Sequence, residues 1–78
     1  MDGRPDRASR IIVDLLRSYA EETFVTQTEL ARRTGLEQSH ISRTFNHRVT
    51  LTVPSMLALC DGLGVSPMAV MSEALQDC

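Results

Sequence analysis

Few side chains in this 78-residue chain could carry out acid–base, nucleophilic or metal chemistry. Six residues separate His40 from His47, a spacing unlike that of zinc ligands one helical turn apart, and the sequence contains no CxxC pair. A nucleophile, a base and an orienting group cannot be assembled from two histidines, two cysteines and surface carboxylates. The chain is also too short for a cofactor-binding fold. We therefore expect no catalytic residue, no metal site and no cofactor.

The segment from Gln38 to His47 offers a different chemistry, because it presents many hydrogen-bonding groups on one side of a helix. At about 100° per residue, Ile41 and Phe45 form a narrow apolar stripe. The wide opposite arc carries polar and basic side chains: Ser39, His40, Ser42, Arg43, Asn46 and His47. Gln38, the first residue of the segment, adds an amide group. Glutamine can form two hydrogen bonds to adenine, serine can bond to several bases, and arginine can bond to O6 and N7 of guanine. Such a face could also be simply solvated, so its meaning depends on the surrounding elements.

A short helix with clear signals at both ends precedes this segment. Thr26 and Glu29 have the spacing of a capping box, in which the threonine hydroxyl accepts from the N3 amide and the glutamate reaches back to the cap amide. Val25 and Leu30 occupy the two positions of a hydrophobic staple. Gly35 supplies the residue that can turn left-handed after a helix. The sequence therefore predicts a helix of about two turns, a tight turn and a second helix.

A first helix is predicted from apolar residues that recur at steps of three and four: Ile12, Leu15, Leu16 and Tyr19. Asp6 and Ser9 are both good N-cap types, so we expect this helix to begin near one of them. We expect residues 1–6 to form a flexible N-terminal tail and residues 7–78 to form a single domain.

Two more helices are predicted after the polar segment. Thr52 is the expected N-cap of the fourth helix. Its predicted core stripe is Val53, Met56, Leu57, Cys60 and Leu63, and its expected closing residues are Gly62 and Gly64. Ser66 and Pro67 are the expected N-cap and first residue of the fifth helix. Since no strand pattern occurs, the sequence predicts an all-α fold of five short helices.

Hydropathy and cysteine usage indicate a cytoplasmic protein with no membrane partner. The longest apolar run, Met56–Cys60, has five residues and is far shorter than a membrane span or the core of a signal peptide. A disulfide between Cys60 and Cys78 would tie an apolar core position to a chain end. We therefore expect Cys60 to be a buried thiol and Cys78 to be a terminal one.

The segment from Gln27 to Phe45 closely resembles the helix-turn-helix of the lambda-repressor-like family, the Cro and Xre type of bacterial and phage regulators. Ala31 stands where that family has a small residue for close helix crossing, Gly35 stands at its turn, and Ile41 stands at the core anchor of its second helix. The resemblance continues into the predicted fifth helix and covers about residues 10 to 75. It implies a compact five-helix lambda-repressor-like DNA-binding domain with the helix-turn-helix at helices 2 and 3.

The resemblance also implies roles for the polar side chains. The residues expected to contact base edges are Gln38, Ser39, Arg43 and, sharing their arc, His40. The residues expected to contact DNA phosphates are Gln27, Asn46, His47 and Arg48. Arg32 and Arg33 of the second helix either contact phosphate or form a solvated face.

The sequence departs from the family pattern at three positions around the second helix of the motif. Glu37 replaces the usual serine or threonine cap and brings a negative charge toward DNA. The glycine that often follows this helix is missing, which leaves Asn46 or His47 to end it, and asparagine tolerates the left-handed region best. Phe45 stands where many members have glutamate. These departures concern base preference rather than the fold.

The net charge of −2 argues against a nucleic-acid binder, but the charge is unevenly distributed. Residues 1–27 carry −1, residues 28–52 carry +2 and residues 53–78 carry −3. The positive share therefore lies on the helix-turn-helix and the loop after it. We expect weak non-specific DNA affinity and a reliance on base contacts and dimerisation.

The apolar arc of the fifth helix, about 160° wide, exceeds what one intramolecular contact requires. We expect a homodimer through Met68, Met71 and Leu75, the alternative being a terminal helix that lies fully in its own core.

The leading interpretation is a small transcriptional regulator, acting as a repressor, that reads a pseudo-palindromic double-stranded DNA operator as a dimer. Two alternatives stay open. One is an antitoxin that represses its own operon, and the other is a protein-interaction module without DNA binding, which the net charge and Glu37 favour. No small-molecule ligand is indicated.

Overall fold

The computed structural model describes residues 4–77, with side chains placed for residues 7–76, and contains five α-helices in that range. The helices are α1 (Arg4–Glu22), α2 (Gln27–Thr34), α3 (Gln38–Phe45), α4 (Val53–Leu63) and α5 (Pro67–Asp77). The described residues contain no strand, so the predicted all-α, five-helix fold is confirmed. No single described helix is long and apolar enough to cross a bilayer, and α4 and α5 reach that length and composition only as a pair bent by 110°.

The start of α1 differs from the prediction, because the helix begins at Arg4 and already includes Asp6 and Ser9. Pro5 is tolerated in the first turn, where its missing amide would have no helical partner. The Ser9 hydroxyl does not cap the helix but accepts a hydrogen bond from the Leu51 amide at 3.3 Å. Residues 1–3 of the expected tail and Cys78 lie outside the described residues, so the domain boundary at residue 7 stays a prediction.

All five helices contribute to one core. α1 packs against α3, α4 and α5, and α2 packs against α3 and α4. The buried core residues are Val13, Leu16, Leu30, Ile41, Phe45, Met56, Leu59, Cys60 and Val70. Each of the larger aliphatic or aromatic side chains contributes about 1.5–3 kcal/mol by leaving water. Cys60 is a buried free thiol, as expected, and its burial raises the pKa of that thiol.

The buried face of α4 is rotated relative to the predicted stripe. Met56 and Cys60 are buried as predicted, but Val53 and Leu57 are 64% and 47% exposed. Ser55 and Leu59 are buried instead. A serine is not scored as a core residue by hydrophobic periodicity, so the burial of Ser55 was not predictable from that pattern. Its hydroxyl lies 3.2 Å from Nε2 of His40 in α3, and this contact permits the burial.

The last turn of α4 lies very close to α2. Gly64, with a φ of 72°, ends α4, whereas Gly62 lies inside the helix. A Cβ atom at Gly62 would lie 2.8 Å from Cγ2 of Thr34 and 3.0 Å from Cδ1 of Leu30. Gly62 is therefore required for the approach of α4 to α2 rather than for closing the helix.

We predict that Gly62→Ala destabilises the fold by about 1–2 kcal/mol in urea unfolding. Overpacking costs about 1–3 kcal/mol, and the better helix propensity of alanine offsets part of that cost. The β-branched Thr34 cannot move its methyl group far, so the same change in a Thr34→Ser background should cost less, since serine keeps the hydroxyl and lacks the methyl. An unchanged or increased stability of Gly62→Ala in the wild-type background would contradict the close approach.

Candidate nucleic-acid interface

The N-terminus of α2 has half of the predicted capping box. The Thr26 hydroxyl accepts from the Glu29 amide at 3.1 Å, with Thr26 in an extended conformation. The sequence predicts that the Glu29 carboxylate also accepts from the Thr26 amide. In the structure it accepts instead from Nε of Arg32 at 3.0 Å and from Nε of Arg33 at 2.9 Å. Charge-assisted bonds from two guanidinium groups are stronger than one bond from a backbone amide. The reciprocal part of the capping-box prediction is therefore wrong.

This cluster limits what the two arginines of α2 can do for DNA. The hydrogen bond from Arg32, followed by that from Arg33, lowers the pKa of the Glu29 carboxyl to about 2. The carboxylate is thus ionised at neutral pH and offsets part of the positive charge of α2. Arg33 also donates from Nη1 to the carbonyl oxygen of Gly62 at 3.0 Å, which links α2 to α4. These contacts favour a structural role for both arginines.

The turn between α2 and α3 has the predicted geometry. Gly35 is left-handed with a φ of 79°, and its amide donates to the Ala31 carbonyl at 2.9 Å. The Leu36 amide donates to the Thr34 hydroxyl at 3.1 Å, and Ala31 and Leu36 both pack against the core. These local bonds satisfy donors at the turn and fix the direction in which α3 leaves α2.

The core-facing side of α3 is formed by Ile41, Thr44 and Phe45, which are all buried. Ile41 and Phe45 confirm the predicted apolar stripe. Thr44 was missed because it is polar, although its i+3 spacing from Ile41 places it on the same side; its hydroxyl donates to the His40 carbonyl at 2.9 Å. Glu37 precedes the helix in an extended conformation and makes no side-chain capping bond, as expected for a poor cap.

The opposite side of α3 is open to solvent. The exposed residues there are Ser39, Arg43 and, directly after the helix, Asn46, and Gln38 is exposed as the first residue of the helix. Half-buried Ser42 lies among them, and its hydroxyl is 3.4 Å from Nδ2 of Asn46. The structure thus brings together the three main candidates for base contacts along a helix about 12 Å long. The major groove of B-DNA is wide enough to admit an α-helix.

His40 is the base-contact candidate that the structure separates from this exposed face. Its side chain is half-buried, and Nε2 lies 3.2 Å from the hydroxyl oxygen of the buried Ser55 in α4. The ring therefore joins α3 to α4 instead of lying beside Gln38 and Arg43. This contact with α4 argues against a base contact by His40.

His47 takes the left-handed conformation that the sequence assigned preferentially to Asn46. His47 has a φ of 61°, whereas Asn46 has a φ of −98°. Nε2 of His47 lies 3.0 Å from Oδ1 of Asp14 in α1. A left-handed residue with a side chain costs about 1–2 kcal/mol, and this contact to α1 offsets part of that cost. The ring is thereby occupied within the fold, and a phosphate contact by His47 stays a prediction.

Besides the exposed Asn46, the two remaining phosphate candidates are accessible at opposite ends of the motif. Gln27 is the first residue of α2 and is half-buried, and Arg48 is exposed in the loop after α3. Arg17 of α1 lines the same shallow cleft as Gln27 and Phe45 and donates from Nη1 to the Phe45 carbonyl at 3.4 Å. Sequence reasoning missed Arg17, because Phe45, whose carbonyl it contacts, is 28 residues away along the chain.

A family model described as "Helix-turn-helix domain" matches residues 11–71. The match includes α2, the turn and α3, together with most of the residues that pack against them. No match was found among curated proteins or among solved structures.

Proposed function

The chain belongs to the helix-turn-helix domain family, a class of DNA-binding domain, and we propose that it is a sequence-specific transcriptional regulator of the Cro and Xre type. The observation that carries the proposal is the exposed face of α3. Gln38, Ser39 and Arg43 are open to solvent there, while the buried side chains of the same helix hold it against the core. A helix held in this way can enter the major groove without reorganising the domain.

The proposed binding mode divides the contacts into base readout and backbone positioning. Gln38 would pair with adenine, Ser39 with a neighbouring base, and Arg43 with O6 and N7 of guanine. Gln27 at the start of α2, and Asn46 and Arg48 after α3, would bind phosphates on either side of the groove. Because the bonds of His40 to α4 and of His47 to α1 hold both ends of α3, little helix ordering is needed on binding.

We further propose that the protein binds DNA as a homodimer through α5. Val70 and Ala74 face the core and are at most 2% exposed, whereas Met68, Met71 and Leu75 are 80%, 44% and 67% exposed. The apolar surface of α5 thus exceeds what its own core covers, and such surplus marks an interface. Met71 also lines an apolar cleft of about 230 Å³ between α1, α4 and α5.

A dimer would supply the specificity that one module lacks. A single helix-turn-helix contacts too few base pairs to select one site, whereas two copies read half-sites about one helical turn apart. A dimer bound over a promoter would exclude polymerase, and repression in the cytoplasm is therefore the proposed regulatory outcome.

We predict that Gln38→Ala and Arg43→Ala each weaken binding to the cognate duplex by about 1–3 kcal/mol and relax base preference at the contacted position. The loss follows from removing hydrogen bonds to base edges, and competition binding with point-mutated duplexes measures it. Gln76→Ala, an exposed residue on α5, is the matched control and should bind as the wild type does. Equal losses on every sequence would show phosphate contacts, and salt-independent or absent duplex binding by the wild type would favour a protein-interaction module.

The dimer predicts a second result. In sedimentation equilibrium at concentrations on the order of tens of micromolar, the wild type should be dimeric and Leu75→Glu should be monomeric, because the interface would bury the introduced charge without a partner. Gln76→Glu introduces the same charge at the next residue, which is polar and exposed, and should remain dimeric. A monomeric wild type, or equal dissociation of both variants, would contradict the α5 interface.

A further inference from the structure

A polar cleft of about 160 Å³ lies between α1 and the loop that joins α3 to α4. Its lining residues are Ser9, Arg10, Val13, His47, Arg48, Val49 and Thr50. None of these lining residues, all of which belong to the described part of the chain, is acidic. The cleft is therefore lined by two guanidinium groups, an imidazole, two hydroxyl groups and two valine side chains.

The fold fixes the shape of this cleft at both ends. At one end His47 contacts Asp14 of α1, with Nε2 and Oδ1 3.0 Å apart. At the other end the Leu51 amide donates to the Ser9 hydroxyl of α1 at 3.3 Å. The Arg48 amide also donates to the Arg43 carbonyl at 2.8 Å, which ties the loop to the last turn of α3. The loop is thus held across α1 rather than free, and the two arginines are presented on a preformed surface.

The charge of the cleft suits an anion. Arg10 and Arg48 are both exposed and belong to different elements, so an anion between them would relieve the repulsion of two like charges that line one space. One guanidinium group can form two parallel hydrogen bonds to phosphate oxygens, and a hydroxyl group such as that of Thr50 can donate to a remaining oxygen. Since a water molecule occupies about 30 Å³ in the liquid, a cleft of this size has room for a phosphate group.

We propose that this cleft binds a phosphate of the DNA backbone and that Arg10 of α1 is a DNA-contacting residue. The inference rests on the proposed function. It favours backbone phosphate over free phosphate because the cleft begins at the residue after Asn46, which itself ends α3. The backbone strands that border the major groove pass the ends of a helix that lies in it. Contact at Arg10 would hold α1 as well as α3 on the duplex and thereby set the angle of α3 in the groove.

The salt dependence of binding tests this proposal. The full chain, Arg10→Gln and the control Arg7→Gln would be titrated with a labelled cognate duplex and a labelled random duplex between about 50 and 200 mM chloride. Arg7 is an exposed arginine on the same helix that does not line the cleft, so the control removes the same charge. Thermal melts would confirm that the three proteins are equally folded.

For Arg10→Gln alone, the magnitude of the negative slope of log K against log salt should decrease by about 0.9 per bound protomer. The affinities for both duplexes should fall by the same factor, because a phosphate contact carries no base preference. An unchanged slope for Arg10→Gln, or an equal change for Arg7→Gln, would overturn the proposal while leaving DNA binding intact.

Two further outcomes separate this proposal from its premises. Absence of duplex binding by the wild type would overturn both the cleft assignment and the proposed function. A cleft for free phosphate would instead show shifts of the Val49 and Thr50 amide resonances with submillimolar inorganic phosphate in the absence of DNA. That result, with no effect of Arg10→Gln on duplex binding, would overturn the assignment to the DNA backbone.

Discussion

The burial of Ile41 and Phe45 is the constraint on which the rest of the site depends. Both side chains lie in the core and are at most 3% exposed, so α3 can rotate only at the cost of bringing apolar surface into water. Their burial determines that Ser39 and Arg43, on the opposite side of the helix, point outward. The turn at Gly35 then determines the direction of the helix relative to α2. The exposed face of α3 is thus a consequence of core packing on the opposite side of the same helix.

Two histidine contacts complete this positioning. His40 joins the first half of α3 to α4 through Ser55, and His47 joins the residues after α3 to α1 through Asp14. Both histidines are natural candidates for DNA contacts from the sequence, yet the structure uses their rings within the fold. The left-handed backbone at His47 is a local strain of the kind that persists only where surrounding contacts support it. His47 also lines the polar cleft, so its left-handed backbone helps to determine the path of the loop there.

The features predicted correctly from the sequence are those determined by neighbours along the chain. Thr26 caps α2, Gly35 ends it, and Thr52 caps α4, because each of these interactions spans only three or four residues.

The predictions that failed involve partners that are distant along the chain or that compete with a local partner. Ser55 can be buried because its hydroxyl has a hydrogen-bond partner in His40. His40 is fifteen residues away along the chain, so local sequence does not reveal the pair. The Glu29 carboxylate does not bond to the cap amide because Arg32 and Arg33 form stronger, charge-assisted hydrogen bonds with it. The exposure of Ser39 and Arg43 follows from helical periodicity, whereas the cleft at Arg10 requires knowledge of how α1 packs on the loop.

The central claim is that the exposed face of α3 reads base sequence. The most direct measurement is selection of bound duplexes from a pool of random sequence by the wild-type protein, followed by sequencing. The account predicts enrichment of a motif with two symmetry-related half-sites whose centres are about 10 base pairs or a multiple of that distance apart. A recovered pool with the same composition as the starting pool would contradict the claim.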